Sequence, residues 1–332
     1  MELRKTCDDS IVIGFAGDVM VGRLVNDYLT HVPPEYLWGD VLPLMLSTDL
    51  NIINLEAALT YSEREVAKVF NFKADPTKVE VLKVADIDVV NLANNHVLDY
   101  DKEGLLETLS TLEAADILYT GAGEVLASAK KPVVVTSCGM KIGILGVTDN
   151  EPGWKATGST PGIHYIDIGD IGAIKKDIAG LKENVDVVIM TMHWGPNMRE
   201  RPTRSFVDFA HQLVDCGVDI IHGHSAHIFQ GIEIYRGKLI MYDTGDFVDD
   251  YYVDPYLRND RSFFFLVEVD RQGFRSLQLI PTCISSFQVN MAQDVDLMET
   301  MERMRLLSRE FKTPLEVKDE WFLPYRSLVG ER

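Results

Sequence analysis

The side chains best able to hold a metal ion or move a proton recur at one place in a repeating pattern. Val- and Ile-rich runs end, one after another, in polar tips. Residues 11–16 lead into Gly17-Asp18, 51–55 into Glu56, and 87–92 into Asn94-Asn95-His96. Residues 185–192 lead into His193-Trp194-Gly195, and 218–221 into His222-Gly223-His224, with His227 just beyond. Neutral imidazoles together with carboxylates bind borderline divalent ions such as Mn, Zn or Fe. Two such ions about 3.5–4 Å apart clamp both oxygens of a phosphoryl displacement. A metal-free use of the same groups is open as well: an Asp and a His facing each other across a substrate carbon can remove a proton from one face and return one to the other. A lone strand-end Asp or Asn ordinarily caps the next turn, and Asp18 by itself reads that way. Successive tips loaded alike read as one shared site. His31, His164 and His211 stand apart and read as surface or satisfied core residues. His222, one pleat before Gly223, is compatible with either core or site.

The elements that must position these tips follow from the same pattern. The apolar runs are uninterrupted rather than alternating, which marks strands buried on both faces. Helical spacing occupies residues 102–115, 170–181 and 204–216 between them, so the chain reads as α/β with parallel crossover units. In such sheets ligands gather beyond the carboxyl ends of the strands, where the tips lie. Residues 232–235 with 239–242, and 263–270 with 274–280, read as hairpins around short Gly-containing turns. Residues 294–311 read as a C-terminal helix, and 312–332 as an irregular tail. With no linker or repeat, the expected organisation is one domain over 10–292, a loop insertion at 151–161, and the segment 293–332 packed on that domain.

Composition narrows the partners. The chain has 332 residues, 46% apolar and 25% charged, as in ordinary globular proteins. Its 32 basic and 51 acidic residues give a net charge of −19, which repels phosphate backbones and anionic lipids and argues against nucleic acid as a partner. An anionic substrate must then be met by local cations, for which Arg23 and Lys73 are the candidates. Trp194, with Tyr251, Tyr252 and Tyr256, reads as the lining of a peptide pocket. The crowd Asp243, Asp246, Asp249, Asp250 and Asp254 reads mainly as a solvated acidic loop. Cys7, Cys138, Cys216 and Cys283 are far apart and form neither a disulfide framework nor a thiolate zinc site. No signal peptide or membrane span reads out, and the expected location is cytoplasmic.

Five motifs in order carry a family resemblance: Gly-Asp-Val-Met at 17–20, Asn-Leu-Glu at 54–56, Ala-Asn-Asn-His at 93–96, His-Trp-Gly at 193–195 and Gly-His-Ser-Ala-His at 223–227. Together with Phe70-Asn71-Phe72-Lys73, Leu98-Asp99-Tyr100 and Phe229-Gln230-Gly231, they resemble the capsule synthesis CapA family of the calcineurin-like metallophosphatase superfamily, over residues 12–247. The resemblance implies a four-layer α/β/β/α sandwich of two mixed sheets. It implies that Asp18, Glu56, Asn95, His193, His224 and His227 are metal ligands, that His96 donates a proton to a leaving group, and that Asp246 stands where the family has an Asn near the site. The superfamily usually has Asp-x-His where this chain has Asp18-Val19-Met20. One ion thereby loses an imidazole, so the expectation is one firm metal position and one weak one. The implied substrate is a peptide or a poly-γ-glutamate-type chain. The implied activity is metal-dependent hydrolysis or, as in CapA-like proteins linked to inversion of an α-carbon, epimerisation by Asp18 opposite His224 or His227 with no metal required. A metal-dependent phosphoesterase and a non-catalytic capsule accessory protein are the remaining alternatives.

Overall fold

A computed structural model describes residues 2–3, 10–318 and 321–324. Its two large sheets are stacked face to face. The first includes, in spatial order, Val133–Ser137, Met140–Thr148, Val187–His193, Ile220–His224, Lys238–Met241 and Ile232–Tyr235. The second includes Gly273–Ser285, Arg261–Asp270, Ser10–Val19, Leu50–Leu55, Val89–Asn91 and Leu118–Thr120, with Asp246–Val248 pairing alongside Ser10–Val19. The middle of each sheet is parallel and both hairpins are antiparallel, as the sequence pattern requires.

Alternation along the strands builds three apolar layers. Ile11, Ile13 and Phe15 face Ile142, Ile144, Val187 and Ile189 across the space between the sheets, with Phe263, Phe265, Leu277 and Leu279 filling the same layer. The opposite face of the first sheet packs Leu145, Val188, Met190 and Ile221 against the helices Gly172–Lys182 and Arg204–Asp215 through Ile174, Ile178, Phe209 and Leu213. The outer face of the second sheet meets the helices Arg23–Tyr28, Val79–Val84 and Asp101–Ala114 through Val25, Leu82, Leu105 and Leu109. The result is the expected α/β/β/α sandwich. The C-terminal helix Asp294–Glu310 sends Met301, Met304 and Leu307 into the layer between the sheets.

One expectation is corrected. The tail beyond the helix is not wholly irregular: Leu315–Lys318 and Trp321–Pro324 pair antiparallel and join the edge of the second sheet next to Gly273–Ser285. The remainder of that tail lies outside the described residues. The segment 151–161 carries a short 3-10 turn, Pro152–Trp154, and leads into the strand Gly162–Ile163.

The strand Ser10–Val19 has a register shift between Phe15 and Asp18. Such a bulge re-aims the residue that follows it, and here it turns Asp18 to the end of the sandwich. Gly17 makes this possible, because a Cβ at that position would stand 1.8 Å from the carbonyl oxygen of Gly245. Gly17→Ala is therefore expected to force the two strands apart. The expected outcome is a loss of about 1–3 kcal/mol, typical of overpacking, read from the midpoint of urea unfolding.

Candidate metal centre

Parallel register puts the chemistry in two rows. In the first sheet Thr148, His193 and His224 are direct neighbours on three adjacent strands. In the second, Asp246, Asp18, Asn54 and Asn91 are likewise in register. Neighbouring strands are about 4.8 Å apart, so each row is a ladder of polar side chains, and the two ladders meet at one end of the sandwich.

Asp18 stands where they meet. Its Oδ1 accepts a hydrogen bond from Asn54 Nδ2 at 2.7 Å and lies 3.7 Å from both His193 Nδ1 and His224 Nδ1. Its Oδ2 lies 3.8 Å from His227 Nδ1 and accepts the Ser225 backbone N–H at 3.2 Å. His193 and His224 bring their Nδ1 atoms to 3.0 Å of each other. Glu56 Oε1 is 3.8 Å from His193 Nε2 and 3.9 Å from His96 Nε2. Asp246 Oδ1 is 2.8 Å from His227 Nδ1. Potential ligand atoms thus fall into two groups that share Asp18: Asp18, His193 and His224, and Asp18, Glu56, His227 and Asp246.

Other side chains hold these in place. Thr191 Oγ1 sits 3.1 Å from His224 Nε2. His96 Nδ1 is 2.5 Å from Asp99 Oδ2, and its ring stacks on Phe72 with centroids 3.8 Å apart, leaving Nε2 toward Glu56. Asp99 also accepts from Lys68 Nζ at 2.8 Å and from the Phe72 N–H at 2.7 Å, and Lys68 donates to the Asn95 carbonyl. Partners of this kind orient ligands and set tautomers. His222 belongs behind the site, where Nε2 lies 3.1 Å from the Ala16 carbonyl oxygen and Nδ1 3.2 Å from Thr191 Oγ1.

The electrostatics are those of a site short of positive charge. Burial opposes ionisation of Asp18, but the hydrogen bond and charge of His193, with His224 and His227, outweigh it and hold the carboxyl below the ordinary range. Burial, and then the charge of Asp18, push Glu56 well up. Asp246 is pushed well up by burial, Asp249 and Asp18, and Asp243 to about 8 by burial and Asp18. Burial brings His96 down to about 4 against the pull of Asp99. Burial also opposes a charge on His227, but the surrounding carboxylates raise its pKa nonetheless. Both oxygens of Glu56, Asp246 Oδ2, Asp249 Oδ2 and Asn95 Oδ1 are buried without a hydrogen-bond partner. Buried oxygens of this kind are ordinarily satisfied. Hard oxygens and imidazole nitrogens around shared Asp18 fit a divalent cation.

The positions expected from the sequence sort as follows. Asp18, Glu56, His193, His224, His227 and Asp246 come together, and His96 borders Glu56. Asn95 lies in the same turn as His96. Arg23 turns instead to Asp250, with Nε 3.2 Å from Oδ2, and lies over Phe70 and Phe72. Lys73 pairs with Glu63 at 2.5 Å. Trp194 is buried, its indole N–H donating to the Tyr242 carbonyl at 2.8 Å and its ring edge-on to Phe206. The acidic loop is corrected: Asp243 and Asp249 are buried rather than solvated, alongside Asp246, which the resemblance had already set near the site. Asp243 accepts the Ala226 and Gly245 N–H groups, and Asp249 that of Tyr251. The sequence reading gave no role to Asn54, Lys68 or Asp99, though Asn54 and Asp99 lie within motifs it quoted.

The two-sheet sandwich with a buried carboxylate–imidazole cluster at its strand ends has the metallophosphatase-like architecture that the resemblance implies. The family model described as bacterial capsule synthesis protein PGA_cap matches residues 12–251, and this chain belongs to that family. A protein named as a probable polyglutamine synthesis accessory protein, from Mycobacterium tuberculosis, is 31% identical, with 91% of this chain and 92% of that protein covered. The PGA biosynthesis protein CapA of Bacillus subtilis is 32% identical over 75% of this chain and 66% of its own length. Among solved structures, sulfate thiohydrolase SoxB of Thermus thermophilus is similar at a TM-score of 0.48 and 9% identity, covering 91% of this chain and 60% of that one. Purple acid phosphatase PPD1 of yellow lupin is similar at a TM-score of 0.35 and 13% identity, covering 86% and 56%. Among the described residues no helix is long and apolar enough to cross a membrane.

The shifted groups set a pH dependence for chelated protein. His96 and His222 are lowered to about 4 and His224 falls well below its ordinary value. Their contribution rises with pH and is complete once the unfolded histidines lose their protons, near pH 6.5. Above that, Asp243, Glu56, Asp246 and His227 keep protons that the unfolded chain has released. The folded state then binds more protons, so stability falls as pH rises. Thermal midpoints in chelator are expected to drop between pH 6.5 and 8, with added Mn or Zn raising the midpoint more at pH 8. A flat profile in chelator would contradict this charge arrangement.

Proposed function

We propose that this protein is a metal-dependent hydrolase acting on an anionic polyglutamate- or peptide-type chain. The observation that carries this reading is Glu56, whose two carboxylate oxygens are buried without hydrogen-bond partners beside His96, His193 and Asp18. Asp18, Glu56, His193, His224, His227 and Asp246 would hold one or two ions, with Asn95 as a further donor. Met20 stands two residues after Asp18, and its sulfur is engaged by the Gly22 N–H, which supports one firm position and one weaker. A divalent ion bound here would polarise a phosphoryl or carbonyl oxygen as a Lewis acid. The names of the relatives, which concern polyglutamine, PGA and capsule synthesis, support the substrate class.

The chain's own groups supply the rest. Asp99 pairs with His96 through Nδ1, so Nε2 is the nitrogen left to take up a proton from one reacting group and return it to a leaving group. Phe72 covers the imidazole and shields it from water. Lys68 neutralises Asp99 and anchors the turn that carries Asn95.

Spacing also bears on the alternative of an opposed acid–base pair. Two groups serving opposite faces of one carbon each work over about 2.6–3.2 Å, and so stand about 6 Å apart. Asp18 is 3.8 Å from His227 and 3.7 Å from His224. These distances support shared ligation over epimerisation.

The test uses protein purified without chelator, poly-γ-glutamate, glutamyl peptides and an aryl phosphate, all in deuterium oxide. The expected result is bound transition metal and chelator-sensitive cleavage of a chain or release of phosphate. Glu56→Gln should lose metal and activity together. His96→Asn should keep the metal and lose about 10²–10⁴-fold in rate, as expected for a missing acid–base group. Deuterium at an α-carbon without cleavage, persisting in chelator, would overturn the hydrolase in favour of the epimerase. Metal-replete protein inert on every substrate would favour a non-catalytic capsule accessory role.

A further inference from the structure

A second polar cavity lies away from the metal cluster, between the C-terminal helix and the loop that follows Asp249. Its volume is about 240 Å³, and its lining includes Phe229, Tyr256, Arg258, Arg261, Thr300 and Arg303. That is below the range of typical drug-sized ligand sites and suits one amino-acid-sized group.

The carboxylates around this cavity are already engaged with two of its arginines. Arg261 holds Asp296 through Nε at 2.9 Å and Glu299 through Nη1 at 2.7 Å. Arg258 holds Asp260 at 2.8 and 2.7 Å and reaches Asp296 at 3.0 Å. Arg303 differs. Its Nη1 donates to the Leu257 carbonyl and its guanidinium lies over the Phe229 ring, 4.9 Å from the centroid. Its Nε and Nη2 are buried without a hydrogen-bond partner; Glu200 Oε1 forms an ion pair with Nη2 at 3.3 Å but makes no hydrogen bond to it, so the Nε–Nη2 fork is only partly matched. The Thr300 hydroxyl, 1% exposed, is also without a partner. Thr300 and Arg303 are three residues apart on the helix Asp294–Glu310, and so share a face.

The Nε–Nη2 edge of a guanidinium is one that takes a carboxylate with two parallel hydrogen bonds. Burial pulls the Arg303 pKa below its usual value despite Glu200, as expected of a cation whose charge is incompletely matched. The geometry points to a carboxylate-binding pocket in which the Arg303 fork takes the two oxygens and the Thr300 hydroxyl donates a further bond. The bound group is a free small carboxylate or an acidic residue of a longer chain. The second source fits the connectivity, because one loop runs from Asp249 and Tyr251 at the metal cluster to Tyr256 and Arg258 at this cavity.

The test is calorimetric titration of the full chain with L-glutamate and with a γ-linked glutamate oligomer. It is carried out in chelator and repeated on Glu56→Gln, so that the result is independent of the metal centre and of the hydrolase reading. Binding of either ligand is expected, weakened at least tenfold in Arg303→Gln and severalfold in Thr300→Val, with only partial recovery in Arg303→Lys, since an ammonium lacks the fork. Preference for the oligomer identifies a chain subsite, and preference for L-glutamate a site for a free carboxylate; either supports the pocket. Thr300→Val is nearly isosteric and tests the pocket even if Arg303→Gln does not fold. Absence of binding by both ligands, or equal affinity in wild type and both variants, overturns the proposal.

Discussion

The packing of like-charged groups around Asp18 is the constraint on which the rest of this structure depends. Asp18, Glu56, Asp243, Asp246 and Asp249 are buried together, and a buried carboxylate is strongly unfavourable unless it is paired or hydrogen-bonded. The backbone answers part of this demand. Ser225 donates to Asp18, Ala226 and Gly245 to Asp243, and Tyr251 to Asp249. To aim these N–H groups inward the chain adopts positive φ at Ser225 (117°) and His227 (60°). Non-glycine residues in sparsely populated regions cost of order 1–3 kcal/mol each and persist only where the surroundings over-determine them. The over-determination comes from the sheets, because His224 is locked in register with His193 and Asp246 with Asp18.

Two separate strand registers must therefore agree for the cluster to exist. A slip in either would move a ladder rung by a residue and turn its side chain to the other face. Asn54 fastens them together: it donates to Asp18 Oδ1, lies 3.3 Å from His193 Nδ1, and accepts from Asn91 and Asn94. It is an uncharged residue between charged ones, and supplies both donors and acceptors without adding to the repulsion. The Asp99–His96–Phe72 unit is assembled differently. It depends on the extended segment that includes Lys68 and Phe72, tied down by the Asp99 carboxylate rather than by a ladder.

Much of this was legible in the sequence for a physical reason. Buried parallel strands need uninterrupted apolar runs, and their ends must face solvent or a site, so runs that stop at Asp18, Glu56, His193 and His224 point to the fold and to the clustering of these side chains at one end of it. What was not legible depended on long-range partners. Asp243 and Asp249 looked like a solvated loop because charge density along a chain does not reveal that the loop folds back under Ala226 and Gly245. Arg23 and Lys73 looked like free cations because Asp250 lies 227 residues from one, and nothing in the spacing marks Glu63 as the partner of the other. Asn54 was overlooked because an amide carries no charge and no metal preference. The strand pair after the C-terminal helix was missed because its pairing depends on the open edge beside Gly273–Ser285, which only the assembled sheet supplies.

The acidity of the whole chain and an acidic substrate are compatible once distance is considered. A net charge of −19 sets a repulsive field, but at physiological ionic strength that field decays over about 8 Å. Beyond this length an anionic polymer is nearly indifferent to surface charge, and within it the local groups decide. Aromatic side chains offer uncharged contact on this surface: Phe70 is 60% exposed beside Arg23, and Tyr252 and Tyr256 are 85% and 92% exposed on the loop that runs from Asp249 toward the second cavity. Buried carboxylates at the centre do not strengthen the repulsion in proportion to their number, since burial and their mutual charge favour the protonated forms of Glu56, Asp243 and Asp246. Under the proposed reading, cation and substrate are linked through the same charges. Without the ion the site remains largely protonated and gives an anion little to bind. With it, the carboxylates ionise against the metal, whose remaining charge faces outward. Selectivity for an acidic chain then resides in the few positive points that the fold leaves incompletely matched.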